Sequence, residues 1–355
     1  MYWKGFNKML NKELLQEMLD KKYVMFQKHD TEDLYIYNYT QSTQYESVWN
    51  EITLACRGLI LDKELNIIQK PFGKFFNLEQ LKASDIPKEP FDVYEKMDGS
   101  LLVMYFIDNK PFLASRGSFN SEQACMGNTI LYTKYKHLFP LLDRSATYVF
   151  ELIFPSNRIV VDYGDTEDIV LLSIIDVETG EERLDDIGFT IVKKHDGIQD
   201  INTLKSLEEP NREGFVIRYK SGLRVKVKFE EYCRLHRIIT DVSSTNIWEY
   251  LSQNKDFEEI LDRVPDEFYE WVKKTKQNIL LKFQEIYDLN IDIIKNMPKF
   301  ESRKEIAEFC VKQKYTGILF SMLDNNMTGN YKSVDSQIWR LVKPKFEKPF
   351  NMSKE

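Results

Sequence analysis

From about residue 50 to 228 apolar and polar residues alternate in short runs broken by turn formers: ITLACRGLILD, FDVYEK, SLLVMYFID, PFLASRG, TYVFELIF, RIVVDYG, IVLLSIID, EGFVIRY and LRVKVKF. A period of two marks strands with one buried face. It is explicit in RVKVKF, where Arg224, Lys226 and Lys228 fall on one face and Val225, Val227 and Phe229 on the other. Helical intervals at 121–137 and 230–240 fit between the runs, and the mixture predicts an antiparallel α+β body. After about residue 245 the period changes. Residues 266–295 carry apolar positions at helical spacing over several turns, and further helices are predicted at 302–314, 316–325 and 333–342, with NNMTGN marking a break. The expected organisation is an antiparallel-sheet domain over 1–244 followed by an all-α domain over 245–355.

A chain of 355 residues has room for two such domains at about 150 residues each. Hydrophobic residues at 43% and charged residues at 30% match a folded globular protein and exclude a disordered one. No window approaches the roughly 18 apolar residues of a membrane span, and the start, MYWKGFNKMLNKELLQEMLDKK, is charged throughout. A soluble cytoplasmic protein without a membrane partner is therefore expected. Cys56, Cys125, Cys233 and Cys310 stand singly, without a CxxC pair, and are expected to be buried thiols; His29, His137, His195 and His236 are equally isolated. This argues against a zinc site and against a His-centred nucleophilic triad.

The net charge of -7 is uneven: residues 1–244 hold 31 Lys+Arg against 38 Asp+Glu, whereas residues 245–355 hold 18 of each. Phosphate binding in the first part therefore needs a local basic pocket. The segment Lys96-Met97-Asp98-Gly99 places a lysine between two predicted strands, although K-x-D-G is also an ordinary hairpin turn. What points to chemistry is the order that follows: Phe150-Glu151, then Glu213-Gly214, then Lys226-x-Lys228, each on or beside a strand.

This ordered set resembles the covalent nucleotidyltransferases, the ligases and capping enzymes in which the K-x-D-G lysine becomes linked to a nucleoside monophosphate. Tyr35 to Tyr39, Cys56-Arg57-Gly58, Pro71 to Leu78, Ser115-Arg116-Gly117-Ser118 and Pro155 to Val161 together resemble the RNA ligase 1 branch of T-even bacteriophages, over residues 30–240. The resemblance implies an adenylylation domain, ATP and Mg²⁺ (or Mn²⁺) as cofactors, and RNA with 5′-phosphate and 3′-hydroxyl ends, such as nicked tRNA, as partner. It also implies a monomer, is compatible with a phage-encoded protein in host cytoplasm, and assigns choice of RNA to the helical domain. Lys96 becomes the nucleophile. Lys226 and Lys228 lower its proton affinity and stabilise the transferring phosphate, as nearby cations do. Glu213 and Glu151 are the metal candidates, Glu151 also contacting ribose, and hard oxygen ligands suit Mg²⁺. Asp98 orients the lysine turn and the polynucleotide ends, and Gly99 completes the nucleotide turn. Arg57 and Lys74 hold the triphosphate, and Phe76 and Tyr37 line the nucleotide pocket. Arg116 stands where a lysine is expected, and Tyr232 falls on a position that supports sealing. A DNA ligase or mRNA guanylyltransferase shares the lysine chemistry but carries an oligonucleotide-binding barrel where this chain reads as helices. A non-catalytic RNA-binding module is the remaining alternative.

Overall fold

The strand runs close into three sheets. The computed structural model describes residues 10–240, 243–261, 269–328 and 332–344. By its internal contacts the chain divides into Met1–Ile239 and Thr240–Glu355. The first unit opens with helix α1 (Lys12–Asp20) and a four-stranded antiparallel sheet, β1 (Val24–Lys28), β2 (Leu34–Tyr39), β3 (Arg57–Asp62) and β4 (Ile67–Gln69). Two short helices, α2 (Gln41–Tyr45) and α3 (Glu51–Ala55), separate β2 from β3. The run ITLACRGLILD is therefore helix in its first half and strand only from Arg57. Asn50 decides this: its side chain accepts from the N–H groups of Ile52 and Thr53, at 3.0 Å each, while the Thr53 hydroxyl accepts from the Asn50 N–H at 2.9 Å. That reciprocal capping satisfies amides that a continuing strand would need to pair.

The second sheet has the order β11-β10-β9-β7-β8, with β7 at Ser100–Ile107, β8 at Lys110–Ser115, β9 at Ala146–Ile153, β10 at Asp168–Asp176 and β11 at Glu182–Arg183; β12 (Thr190–Ile191) adds to β10 in parallel. Helix α4 (Glu122–Lys134) covers it, and Leu102, Leu113, Ile130, Leu131, Tyr148 and Phe150 form the main core. The third sheet runs β13-β6-β14-β15-β5, with β5 at Phe76–Asn77, β6 at Phe91–Glu95, β13 at Lys194–His195, β14 at Gly214–Tyr219 and β15 at Arg224–Lys228. Val225, Val227 and Phe229 are fully buried in its core, as their alternation predicts. Helix α5 (Glu230–Thr240) follows. The sheets are antiparallel apart from the β12 and β5 pairings, and this is the α+β architecture read from the sequence.

RIVVDYG is not a strand. Val160 and Val161 are buried, but both amides donate to the Asp98 carboxylate at 2.8 Å instead of to a neighbouring strand. Nor does every cysteine lie inside: Cys56 and Cys310 are buried, Cys125 is exposed and Cys233 intermediate, all four with free thiols.

The second unit is helical among its described residues: α6 (Ser244–Ser252), α7 (Glu258–Leu261), α8 (Tyr269–Lys295), α9 (Arg303–Val311), α10 (Thr316–Thr328) and α11 (Lys332–Val342). Residues 266–268 of the helix predicted over 266–295 lie outside the described residues. Helix α10 extends through Asn325 to Thr328, where a break was expected. Ile247, Val272, Ile279, Ile318, Leu319 and Ile338 are buried, and the Trp248 indole donates to the Trp339 carbonyl at 2.8 Å. Among the described residues no helix is long and apolar enough to cross a membrane.

Candidate active site

Strand register brings the chemistry together. Lys96 stands one residue past β6, and its amide donates to the Gly214 carbonyl at 2.9 Å. Across β14, Phe215 pairs with Glu95 on one side, while Gly214 pairs with Lys228 of β15 on the other. Lys96, Glu213 and Lys228 therefore converge on neighbouring strands despite their distance in sequence. Gly214 is required there: its φ is +143°, and an added Cβ would stand 2.0 Å from the Val227 carbonyl oxygen.

Glu213 is 2% exposed, and its two oxygens are shared between two lysines, Lys96 Nζ at 2.7 Å from Oε2 and Lys228 Nζ at 2.8 Å from Oε1. Burial would push this carboxyl up, but Lys228 and Lys96 outweigh it and hold the group below the usual carboxylate range. Lys226, opposite Val216, is buried on the face that carries Lys228. The RVKVKF cations are therefore not a solvated face: Lys228 pairs with Glu213, Arg224 with Glu182, and Lys226 is buried.

Glu151 lies on β9 opposite Leu101 and accepts from the Gly99 N–H at 3.1 Å. Burial pushes its carboxyl up to about 7, with Glu213 adding to the rise and Lys96 and Arg57 opposing it. Asp98 is 4% exposed and accepts from the Val160 and Val161 amides and from the Tyr232 hydroxyl, while its own amide donates to the Tyr163 hydroxyl at 2.9 Å. This carboxylate braces the turn after Lys96 from behind. Gly99 fits the narrow space in front, where a Cβ would stand 2.3 Å from the Leu152 carbonyl oxygen.

Arg57 opens β3 with its guanidinium 5.6 Å from the Phe75 ring. Lys74 precedes β5; its Nζ is 3.1 Å from Gln44 Oε1 and 5.4 to 5.7 Å from the centroids of Tyr39, Trp49 and Phe76. Arg116 is exposed just past β8, with its guanidinium 5.4 Å from the Tyr39 ring. Tyr37 stands apart from these: it is 4% exposed in the core between the first sheet and α1, 5.3 Å from Phe26, and burial pushes its phenol up to about 12. Sequence reasoning missed Trp49, Gln44 and Tyr163. A lone tryptophan in the polar stretch TQSTQYESVWN was the one available signal.

Among the described residues no three His, Cys, Asp or Glu side chains cluster as a metal cage. The donors present, the carboxylates of Glu213 and Glu151, fit Mg²⁺, which binds through one or two carboxylates and completes its shell with water and phosphate oxygens.

The chain is similar to several known proteins. An RNA ligase of Rhodothermus phage RM378 is 24% identical over 356 residues, covering 78% of this chain and 77% of that protein. A protein of Autographa californica nuclear polyhedrosis virus, provisionally named a bifunctional polynucleotide kinase/RNA ligase, is 26% identical over 257 residues, covering 63% of this chain but only 36% of that protein. Naegleria gruberi RNA ligase, solved as a variant with ATP and Mn, aligns over 41% of this chain and 52% of that one, with 21% identity and a TM-score of 0.35. The family described as RNA ligase matches residues 55–233, the span that carries the lysine turn, Glu151, Glu213 and the paired lysines, and the chain belongs to that family.

Proposed function

We propose that this chain is an ATP-dependent RNA ligase that joins 5′-phosphate and 3′-hydroxyl RNA ends, with nicked tRNA as a natural substrate. One observation carries the reading: the amines of Lys96 and Lys228 share a single buried carboxylate, Glu213. A nucleophilic amine has to lose a proton, and Glu213 holds the Lys96 amine in place until it does. In the first step the Lys96 ammonium gives a proton to solvent, Nζ bonds to the α-phosphorus of ATP, the bond to the bridging oxygen breaks, pyrophosphate leaves with that electron pair, and the new phosphoramidate nitrogen sheds its second proton to solvent. Lys228 and Lys226 face the same site and are suited to stabilise charge on the transferring phosphate. A bound divalent cation supplies further positive charge to the phosphates. The AMP then passes to the RNA 5′-phosphate, releasing the Lys96 amine, and the 3′-hydroxyl finally displaces AMP to form the phosphodiester. All the side chains invoked come from one chain, so a monomer suffices.

The assignment of RNA choice to the helical unit is supported by exposed cations on its helices. Lys274 and Arg340 are exposed, whereas Lys273 pairs with Glu270 at 3.0 Å, Lys276 lies 4.2 Å from the Phe257 ring, and Lys343, just past α11, lies 4.7 Å from the Trp248 ring. Lys345 and Lys348 lie outside the described residues. Phosphate contacts by such cations make binding fall with added salt. The experiment that tests the whole reading is incubation with α-labelled ATP or GTP and Mg²⁺ followed by a denaturing gel. Label from ATP on wild-type protein, absent from Lys96→Ala, is the expected result. Label from GTP would make it a capping enzyme, and no label from either would leave an RNA-binding module.

A further inference from the structure

Three backbone amides of the lysine turn are held by three different elements. The Lys96 amide donates to the Gly214 carbonyl at 2.9 Å, the Gly99 amide to Glu151 Oε1 at 3.1 Å, and the Asp98 amide to the Tyr163 hydroxyl at 2.9 Å. Gly214 and Glu151 lie on the strands β14 and β9. Tyr163 lies on neither: it ends the irregular run Arg158 to Tyr163 between β9 and β10.

That run and the turn exchange bonds in both directions. Asp98 Oδ2 accepts the Val160 and Val161 amides at 2.8 Å each, while the Asp98 amide is given to Tyr163. Between these contacts the run is tied to a third place. The Asp162 amide donates to Asn211 Oδ1 at 2.7 Å, and Asn211 Nδ2 donates to the Asp162 carbonyl at 2.8 Å. Asn211 stands two residues before Glu213, the carboxylate that Lys96 and Lys228 share. Val160 to Tyr163 therefore spans from the turn that follows the amine to the approach of the strand that follows its carboxylate. The Tyr163 ring anchors the span, packing against the core of Val93, Phe215 and Val225 and against that of Ile153, Val170 and Val192. A phenol whose ring is packed this way presents its oxygen at a fixed place.

Resting on the ligase reading above, we propose that Tyr163 is a positioning residue: its hydroxyl fixes the peptide two residues after Lys96 and so holds the Lys96 amine in register with Glu213. Misplacing a reacting atom by about 1 Å is enough to slow a displacement about a hundredfold, so a bond to the turn backbone bears on the reaction without touching substrate. It acts where the bond to Lys96 Nζ is made or broken, that is, in the loading of AMP and in its passage to the RNA 5′-phosphate. Sealing of RNA that already carries AMP does not pass through the lysine.

The test uses the full chain as wild type, Tyr163→Phe and Tyr163→Leu. Three quantities are compared: the rate of Lys96 labelling at saturating ATP, the KM for ATP, and the rate of sealing pre-adenylylated RNA. Tyr163→Phe keeps the ring and loses only the oxygen. Its labelling rate falls about tenfold, the rate equivalent of one buried hydrogen bond, while KM changes less than about twofold and sealing falls less than about threefold. The ratio of labelling to sealing cancels the amount of folded enzyme, so a merely structural role leaves it unmoved. Tyr163→Leu melts lower and shows at least the same fall in that ratio. Equal losses in labelling and sealing, or a ratio that moves only in Tyr163→Leu, overturn the proposal. Deuterium exchange of the peptide spanning Lys96 to Ser100 adds a readout that needs no catalysis: exchange at the Asp98 amide quickens in Tyr163→Phe, and unchanged exchange overturns the proposal as well. A wild-type chain that never labels Lys96 overturns the ligase reading, and the exchange rates still decide whether Tyr163 holds the turn.

Discussion

Tyr232 on α5 donates its hydroxyl to Asp98 Oδ1 at 2.7 Å, tying the helix after the paired lysines to the turn that follows Lys96. The other Asp98 oxygen takes two backbone amides, so the carboxylate is spent on internal bonds. Its work is to fix the turn and the Val160 segment against each other.

Tyr232→Phe removes one hydrogen bond to a buried charge, which costs about 1.5 to 3 kcal/mol. Asp98→Ala leaves the two amides and the tyrosine hydroxyl unpartnered at once and costs more. Chemical denaturation of the two variants should rank them in that order, with Lys96 labelling slowed in both. Equal stability of Tyr232→Phe and wild type would remove the clasp.

Gly99→Ala is expected to fail although glycine there does not need a left-handed backbone. The added methyl would stand 2.3 Å from the Leu152 carbonyl oxygen and 2.8 Å from Ile153 Cδ1, and the first of these belongs to strand backbone. β7 and β9 pair through Ser100 and Leu152 beside it, so relief requires parting the ladder. The expected loss is several kcal/mol, on the scale of overpacked cores and disrupted buried bonds, together with loss of labelling. A melting temperature within a degree or two of wild type would refute it.

How much of this was legible in the sequence depends on where the determining contact lies. The Val225, Val227, Phe229 alternation is local, and it gave the face that carries Lys226 and Lys228. The same rule misread Arg158 to Gly164, because the apolar Val160 and Val161 are buried by a non-strand segment whose amides are taken by Asp98, 62 residues away. It also misread Ile52 to Ala55, where the Asn50 cap outweighs β-branched residues. The lysine, its carboxylates and the cation pair could be named from order along the chain. That Glu213 sits between two lysines could not, since it follows from a three-strand register. Trp49 was passed over because the rings it packs against, Tyr39 and Phe76, come from β2 and β5, ten residues before it in the chain and 27 after.

Asp168 gives a stability prediction that needs no activity. Its carboxylate accepts from Lys134 Nζ at 2.7 Å, the Tyr135 hydroxyl at 2.6 Å, the Thr190 hydroxyl at 2.7 Å and the Ile169 amide at 2.9 Å. Burial pushes the group up, but these bonds prevail and hold it below its ordinary range. A carboxyl lowered in the folded state contributes stability above its unfolded pKa, near 3.9, and that contribution fades as pH falls through the folded value. The melting temperature of wild type should therefore drop below about pH 4 more steeply than that of Asp168→Asn, which starts lower at pH 7. Parallel curves would show that Asp168 is not the titrating group.

The last prediction concerns a second buried ion pair, which joins the second and third sheets of the first unit. Glu182 of β11 is 14% exposed, and Arg224 of β15 reaches it with both terminal nitrogens, Nη1 lying 2.7 Å from Oε1. The Arg224 guanidinium also lies 4.0 Å from the Phe72 ring, and Arg218 of β14 donates to the Glu182 carbonyl at 3.1 Å. Burial would push Glu182 up, but Arg224 and Arg218 hold it down, so the cluster is charged in the folded state. Removing one partner of a buried pair leaves the other desolvated and alone, at a cost of about 3 to 5 kcal/mol. Glu182→Gln and Arg224→Met should each show a loss of that order. The double variant should lose less than their sum, because it strands no charge. β15 carries Lys226 and Lys228 on the same face as Arg224, so freeing this end lets that strand drift relative to Glu151 on β9. Labelling of Lys96 should then fall in the single variants under conditions where they remain folded. Strictly additive stabilities would mean the pair is decoupled, and unimpaired labelling in folded single variants would mean that the bridge does not position the lysines.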